Sequence, residues 1–441
     1  PMSSRPGAFW CWLNGDVTKA SITNDLEEMK QKGMARAEIW DVEARDNIYG
    51  IGPKFLGDQS VEFIKHALSE GKRLGMRIGM VASSGWNAGG SWVTPDWAAK
   101  ALYSSALKIT GPQNYTNELP FPDVPEECPK DENGMPVFYK EVAILAIPDN
   151  SDKKINDLSD IVLLNKSFDG KQLNWQIPEG KWTILRFVCT NTGQHLIVPS
   201  PNSDGLFIDF FDPNATKKHL KYILDRLGIS IENGRDSGLN YLEFDSMELD
   251  EATAWTDSMD DIFRDHHKYD ILPYLPVFAG WELPEGNDKF LYQFKKTVSD
   301  QLIFSHYTTG SEFLAEYGID LVGEAGGPGP PIWNSCPVDS LKALGNVTIP
   351  RGEFWVQNLN NIFLVKEVAS ASHIYGLGAV DAESFTTWRR WKDAPHALKK
   401  HVDRAFCEGL NSVTFHTFAN TRPEHGLPGR AYHAGSDINP T

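Results

Sequence analysis

The chain has 441 residues, which at about 150 per domain corresponds to about three domains, although a single (β/α) barrel takes up about 250 or more. Its 42 basic and 59 acidic residues give a net charge of −17, and this acidity argues against nucleic acid or an anionic membrane as a partner. A hydrophobic fraction of 41% excludes a disordered acidic tail, while 14 Trp, 13 Tyr and 23 Phe supply flat faces that stack on sugar rings or bury apolar ligands.

Short apolar runs alternate with amphipathic helical patterns along most of the chain, as in repeated βα units around a parallel sheet. Helical spacing of apolar residues is clear over Thr18 to Lys32, Ser60 to Leu74 and Asn214 to Leu227. The eight predicted strands are Ala8 to Leu13, Ala35 to Val42, Arg77 to Ser83, Tyr241 to Asp245, Ile319 to Glu324, Asn346 to Glu353, Gly378 to Ser384 and Ser412 to Phe418. Eight strands with intervening helices predict an α/β fold of the (β/α)8 TIM-like barrel type.

The alternation fails once, over residues 109–209, where Pro and Gly punctuate short β-like runs. We predict an inserted β-sandwich-like domain there, between a first barrel part at 1–108 and a second at 210–441. The insertion either forms the wall of a cleft or is a packing appendage without ligand contact. Because Ala419 to Thr441 shows no helical period, the last covering helix is expected to be missing and the barrel truncated at its C-terminus.

Cysteine spacing and the termini narrow the class of protein further. The five Cys are far apart and lack a CxxC or a His at metal-ligand spacing, which argues against a zinc site or a disulfide scaffold. Neither a membrane-length apolar run nor a signal peptide is evident. The protein is therefore either cytoplasmic, or a signal peptide has been removed ahead of this sequence.

Catalytic groups of such barrels lie at the carboxyl ends of the strands. The side chains predicted there, strand by strand, are Trp12 and Asn14; Trp40, Asp41 and Glu43; Ser83, Ser84, Trp86 and Asn87; Asp245 and Glu248; Glu324; Glu353; Glu383; and His416. So many carboxylates repel one another unless a cation, a shared proton or a hydroxyl-rich ligand offsets the repulsion. Carboxylates mixed with Trp and Asn are typical of sugar hydrolysis.

Glycoside hydrolysis requires two carboxyl groups across the scissile bond. Glu248 and Glu383 follow strands that lie roughly opposite one another in an eight-stranded ring, and we predict them as this pair. Asp245, Glu324 and Glu353 would tune their pKa values or hold a metal. A single Glu at a strand end is more often a salt-bridge or capping residue, and it is their occurrence together that indicates a site.

Two local patterns remain open to more than one interpretation. The loop Gly85 to Gly90 lacks the spacing of a phosphate loop, so a sugar platform from Trp86 with an amide from Asn87 is favoured over nucleotide binding. His416 lies on the inner face of its strand by alternation, as either a sugar ligand or a hydrogen-bonded core histidine.

At these positions the sequence resembles glycoside hydrolase family 106, the α-L-rhamnosidases. The resemblance rests on Pro6 to Asp16, Gly85 to Gly90, Phe244 to Glu248, Gly323 to Gly327, Pro350 to Trp355, Ala382 to Thr386 and Phe406 to Asn411. It implies an inverting hydrolase of α-L-rhamnosides of plant-type polysaccharides, with Ca2+ in the active site and an extracytoplasmic location.

The resemblance also implies residue roles. Glu248 and Glu383 become the catalytic carboxylates, with Glu353 as a third catalytic or calcium-associated carboxylate and Asn87 as a second metal ligand. The substrate-binding set is Trp12, Trp40, Asp41, Trp86, Asn87, Asp245, Glu324, Trp355 and His416. The partner is a rhamnose-containing glycan. The alternatives are a barrel hydrolase acting on a different sugar, or a barrel fragment that binds glycans without turnover.

Overall fold

The computed structural model describes residues 5–44, 50–150, 152–249, 252–325, 338–356, 362–389, 392–426 and 429–433. The chain forms two compact units. The first comprises Pro1–Val93, His195–Leu249 and Ile303–Thr441, and the second comprises Thr94–Gln194 and Asp250–Leu302. Within the described ranges, every helix is too short or too polar to cross a membrane.

The first unit is a closed barrel of eight parallel strands, which confirms the predicted (β/α)8 architecture. Each predicted strand overlaps one barrel strand, and neighbours around the ring follow chain order, with the eighth paired to the first. The strands are β1 Gly7–Leu13, β2 Arg36–Val42, β3 Arg77–Ser84, β4 Leu239–Phe244, β5 Asp320–Glu324, β6 Ile349–Trp355, β7 Asp381–Thr386 and β8 Thr414–Ala419.

Amphipathic helices connect these strands, and their apolar faces are buried. The helices of the described chain are α1 Lys19–Gln31, α2 Asp58–Leu74, α3 Pro213–Leu227, α4 Met259–His267, α5 Asp288–Leu302, α6 Thr309–Glu316, α7 Ser340–Leu344, α8 Ile362–Tyr375 and α9 Pro395–Cys407. Helix α1 begins at a capping box of Thr18 and Ser21, and it buries the residues that the helical spacing selected, Ile22, Leu26 and Met29.

A buried ionic cluster occupies the barrel interior below the strand ends. Arg351 on β6 pairs with Glu38 at 2.9 Å, with Asp381 at 2.8 Å and with Glu243, and all four side chains are at most 1% exposed. Arg36 adds a second cation, 3.2 Å from Asp381. Buried charges are tolerated when they are paired in this way, so the cluster fixes β2, β4, β6 and β7 relative to one another.

The second unit contains one four-stranded antiparallel sheet together with α4 and α5. Its strands, in spatial order, are Lys100–Glu118, Gln172–Asn191, Tyr139–Pro148 and Val162–Leu163. Its core includes Leu119, Ile144, Leu173 and Ile184. These bounds differ from the expected insertion at 109–209, because the first long strand begins at Lys100 and the segment from Asp250 to Leu302 joins this unit instead of the barrel.

Candidate active site

A pocket of about 170 Å³ opens at the carboxyl ends of the barrel strands. Side chains from β2 to β8, or from the loops after them, contribute to its lining. The lining residues are Trp40, Trp86, Asp245, Ser246, Glu248, Glu324, Glu353, Trp355, Glu383, Thr386, Trp388, His416, Tyr432 and His433. The pocket thus combines a cluster of carboxylates with several aromatic rings.

Two of the pocket carboxylates lie side by side on neighbouring strands. Glu353 on β6 lies directly opposite Glu383 on β7, so both side chains point to the same face of the barrel. Glu353 accepts a hydrogen bond from Trp355 Nε1 at 2.6 Å, and Glu383 accepts one from the Thr386 hydroxyl. His416 Nδ1 lies 3.5 Å from Glu383 Oε1. Glu383 therefore has a fixed orientation deep in the pocket.

Glu248 lies on the loop after β4 and is positioned by the loop after β3. Gly85 has a φ of +72°, and a Cβ atom there would lie 2.0 Å from Ile197 O, so only glycine fits. In the orientation that satisfies both of its amide atoms, Asn87 accepts from the Glu248 N–H at 3.0 Å and donates to Trp86 O at 3.1 Å. Asn87 therefore holds the backbone of Glu248.

Burial and mutual repulsion raise the pKa values of these carboxyl groups. For Glu248, burial first and then Asp245 raise the pKa to about 7. For Glu383, burial followed by repulsion from Glu353 and Asp245 raises the pKa well above its ordinary value. The pKa of Glu324 is raised for the same reasons, burial being the largest. A carboxyl group with a raised pKa holds its proton to a higher pH, and Glu248, with its pKa of about 7, is therefore a candidate proton donor for acid catalysis.

Aromatic rings form another part of the pocket lining. The Trp40 ring centroid lies 4.9 Å from Tyr432, 5.6 Å from His416 and 6.0 Å from Trp86. Burial lowers the pKa of His416 to about 3, with a further contribution from His433, so the imidazole is neutral. A neutral His among Trp and Tyr faces suits an uncharged, hydroxyl-bearing ligand.

A second aromatic pair lies where β6 and β7 end. Trp355 and Trp388 meet edge to face with centroids 4.8 Å apart. Trp388 is 48% exposed, whereas the other pocket tryptophans are buried or half-buried. Its ring is therefore available to a part of the ligand that extends towards solvent.

Three residues of the predicted set lie outside the pocket lining. On β1, the Phe9 ring points into the barrel, with its centroid 5.0 Å from the Arg351 guanidinium. Because successive side chains of a strand point to opposite faces, Trp12 points out of the barrel. Asp41 is buried and accepts a hydrogen bond from the Ser84 hydroxyl, with burial raising its pKa to about 6. Asn87 uses its amide on the Glu248 backbone, as described above. The other residues predicted as catalytic or substrate-binding line the pocket together, whereas Asn14, Glu43, Ser83 and Ser84, also predicted at strand ends, are not among the lining residues.

Sequence reasoning missed five lining residues, Ser246, Thr386, Trp388, Tyr432 and His433. Thr386 and Trp388 carried a usable signal, because they lie at and just beyond the carboxyl end of β7. Tyr432 and His433 lie in a segment without periodicity, and such a segment does not reveal which of its residues returns to the barrel.

Among the described residues, three carboxylates form a group that could hold a metal ion, and two of them, Asp245 and Glu324, line the pocket. One oxygen each of Glu243, Asp245 and Glu324 lies within 4.8 Å of the others. Oε1 of Glu324 and Oε2 of Glu243 are buried without a hydrogen-bond partner among the described residues. Such oxygen donors fit Ca2+, which prefers carboxylate ligands. Of the two predicted metal ligands, Glu353 lies on β6, the strand next to that of Glu324. Asn87 could bind the metal through its amide oxygen only if that oxygen gave up its hydrogen bond to the Glu248 backbone.

The protein is a closed (β/α)8 barrel with carboxylates and tryptophans at the carboxyl ends of its strands. This combination of fold and site is typical of glycoside hydrolases. The sequence matches the family of glycoside hydrolase 106, alpha-L-rhamnosidase, over residues 1–159 and 130–438. The chain belongs to this family, as the sequence motifs implied.

Two relatives place the chain further. A protein of Formosa agariphila with the provisional name beta-glucuronidase is 28% identical over 479 residues, covering 100% of this chain and 39% of that protein. The solved structure of a rhamnosidase from Novosphingobium sp. PP1Y has a TM-score of 0.82 at 22% identity, covering 96% of this chain and 56% of the other. At that identity the second match supports the fold. The chain spans roughly half the length, or less, of these relatives.

Proposed function

We propose that the protein hydrolyses terminal α-L-rhamnosides by an inverting mechanism in which Glu248 and Glu383 are the two catalytic carboxyl groups. The observation that carries the proposal is their convergence on one pocket from β4 and β7, with family membership indicating the sugar. In the ring, β5 and β6 lie between these strands. This placement supports a separation with room for a water molecule, as inversion requires.

Glu248 is assigned as the general acid and Glu383 as the general base. Glu248 is partly exposed on a loop and carries a proton below a pKa of about 7, so it is suited to protonate a leaving group that departs towards solvent. Glu383 lies deeper, with Thr386 and His416 fixing its carboxyl group, and is suited to activate a water beneath the sugar.

Ca2+ would be held by Asp245 and Glu324, with Glu353 as a neighbouring carboxylate. When bound, it supplies positive charge that offsets the acidic cluster and oxygen coordination for two adjacent sugar hydroxyls. Asp245 and Glu353 are among the groups that raise the pKa of Glu383, so neutralising them favours the ionised, basic form of Glu383.

The pocket chemistry argues against a glucuronide as the preferred substrate. The carboxylate of a uronic acid requires a cationic partner, and among the described lining residues there is neither Lys nor Arg. The aromatic part of the lining is neutral, as suits the methyl group of a 6-deoxy sugar. The natural glycan is proposed to be a plant-type polysaccharide outside the cytoplasm.

A panel of aryl glycosides tests this assignment. We expect release of the aryl group from the α-L-rhamnoside, with kcat/KM at least about a hundredfold above the β-glucuronide and the β-galactoside, since those substrates place a charge or a hydroxyl against the aromatic wall. Preference for another sugar would favour the alternative of a barrel hydrolase with a different subsite. Binding of rhamnosides without turnover would favour the glycan-binding alternative.

Removal of calcium tests the metal assignment. We expect that exhaustive chelation lowers the melting temperature and the rate of rhamnoside hydrolysis, and that adding Ca2+ at about a hundred times its Kd restores about 2.7 kcal/mol of stability. Glu324→Gln should abolish this calcium-dependent shift in melting temperature, while Glu62→Gln, at a side chain of α2 that is 67% exposed, should keep it. A melting temperature indifferent to chelation would exclude the metal role.

Replacement of Trp388 tests the subsite for the leaving group. We expect Trp388→Ala to raise KM about tenfold for a rhamno-oligosaccharide, with a smaller change in kcat, because an exposed ring that binds substrate and transition state equally affects KM. Phe406→Ala is the control, since Phe406 is 50% exposed and lies outside the pocket lining. An unchanged KM for Trp388→Ala would remove the ring from the binding site.

A further inference from the structure

A second and larger cavity lies within the second unit, among residues that the proposed reaction does not use. Its volume is about 700 Å³, which is within the range of about 300–1,000 Å³ typical of small-ligand sites. Its walls come from the segment that ends α4, from the start of α5 with the turn before it, and from the loop at 156–158. All of these segments belong to the same compact unit.

One wall of this cavity is a run of aromatic rings. The Tyr269 centroid lies 4.9 Å from Tyr274, and Tyr274 stacks on Phe290 at 5.4 Å with an angle of 23° between the rings. Phe290 is 2% exposed and anchors the run, whereas Tyr269 and Tyr274 are half-buried and border the cavity. The arrangement offers flat faces to a ring-shaped ligand.

The other walls carry hydrogen-bonding groups of both kinds. The Tyr269 hydroxyl donates to Gln293 Oε1 at 2.7 Å, a bond that does not use the amide nitrogen of Gln293. Asp157 accepts two hydrogen bonds from Ser159, both on Oδ1 at 2.8 Å, and neither uses Oδ2. Glu285 adds a further exposed carboxylate. Donors and acceptors therefore surround the aromatic wall.

We propose that this cavity binds a short neutral oligosaccharide, at a site separate from the catalytic pocket. Flat aromatic faces bordered by carboxylate and amide groups match the apolar faces and equatorial hydroxyls of pyranose rings. Asp157 and Glu285 outnumber Lys289, the one Lys or Arg among the described lining residues, which disfavours phosphate or polyanionic ligands. The polar rim disfavours a lipid. The inference goes beyond the proposed function, because it stands whether or not rhamnosides are hydrolysed.

Calorimetric titration of the whole chain with neutral xylo-, arabino-, galacto- and rhamno-tetrasaccharides tests the proposal. Free L-rhamnose is kept saturating so that the catalytic pocket is filled. We expect at least one tetrasaccharide to bind, and Tyr274→Ala to weaken that binding about tenfold, as expected for the loss of an aromatic contact. Glu285→Ala should also weaken binding. Because Glu285 is exposed, this variant should fold like the unmodified chain. Hydrolysis of an aryl rhamnoside should be unchanged in both variants.

Tyr292→Ala is the matched control, because Tyr292 lies on α5 with 69% of its surface exposed and outside the cavity lining. It should bind like the unmodified chain. Failure of every neutral tetrasaccharide to bind would overturn the proposal, as would binding that both Tyr274→Ala and Glu285→Ala leave unchanged. Tighter binding of an anionic oligogalacturonide than of any neutral probe would overturn the assigned ligand class.

Discussion

Glu383→Gln is expected to lower kcat for an aryl α-L-rhamnoside by about 10²–10⁴-fold, because the amide cannot take a proton from the attacking water. The fold should survive this change. Glutamine has nearly the same size and shape as glutamate and can keep the hydrogen bond from the Thr386 hydroxyl, so the packing around position 383 should be little disturbed. The measurement is steady-state hydrolysis together with the melting temperature. Activity close to that of the unmodified chain would exclude Glu383 as the base.

Glu248→Gln should show a different dependence on the leaving group. The loss should be about 10²–10⁴-fold for a poor leaving group and much smaller for a dinitrophenyl rhamnoside, whose departure needs no proton. Glu383→Gln should be slow on both substrates, and azide should restore its turnover with inversion at the anomeric carbon. Equal losses of Glu248→Gln on the two substrates would contradict its assignment as the acid.

The pH dependence follows from the same assignment. A general acid must be protonated, so kcat should fall as pH rises through about 7, the pKa to which burial and then Asp245 raise Glu248. Glu248→Gln should lose this alkaline limb. Glu62→Gln, at a side chain that is 67% exposed, should retain the limb and the rate.

Arg351→Met is expected to destabilise the fold by about 3–5 kcal/mol, because it leaves Glu38, Glu243 and Asp381 without their shared cation in the barrel interior. Denaturant unfolding at neutral pH measures the loss. Arg77→Met is the matched control, since Arg77 on β3 pairs with Asp320 at 2.6 Å but both side chains are more than one third exposed. Its cost should be below about 1 kcal/mol. Equal costs would show that the buried cluster has no special role.

The loss in Arg351→Met should depend on pH with a defined sign. Burial works to raise the pKa of Asp381, but Arg36 and Arg351 together lower it below its ordinary value. A carboxylate with a lowered pKa contributes stability above its unfolded pKa and loses it as pH falls. The difference between Arg351→Met and the unmodified chain should therefore be largest at neutral pH and shrink in acid.

The fold was largely predictable because the information for a (β/α)8 barrel is local. Alternating apolar runs and helical spacing located all eight strands, and the rule that catalytic groups lie at carboxyl ends selected Glu248, Glu353 and Glu383 from 59 acidic residues. Trp40 and His416 were found by the same rule. Each of these predictions depends on residues within one element.

The membership of the second unit was not predictable in this way. Asp250–Leu302 carries helical patterns that suit a barrel as well as an appendage, and contacts distant in sequence place it with Thr94–Gln194. The cavity between α4, α5 and the loop at 156–158 exists because of that association. A periodic pattern shows that a face is buried, and it does not identify the partner of that face.

The sequence by itself determined the barrel, the family and the carboxylates at the strand ends. Tertiary structure decided which strand-end residues share the pocket: it turned Trp12 outward, used Asn87 to hold Glu248, and brought Tyr432 and His433 to the aromatic wall. It also determined the protonation of the site. The pKa of a carboxyl group depends on its burial and on neighbours from other strands, and these distances are set when the barrel closes.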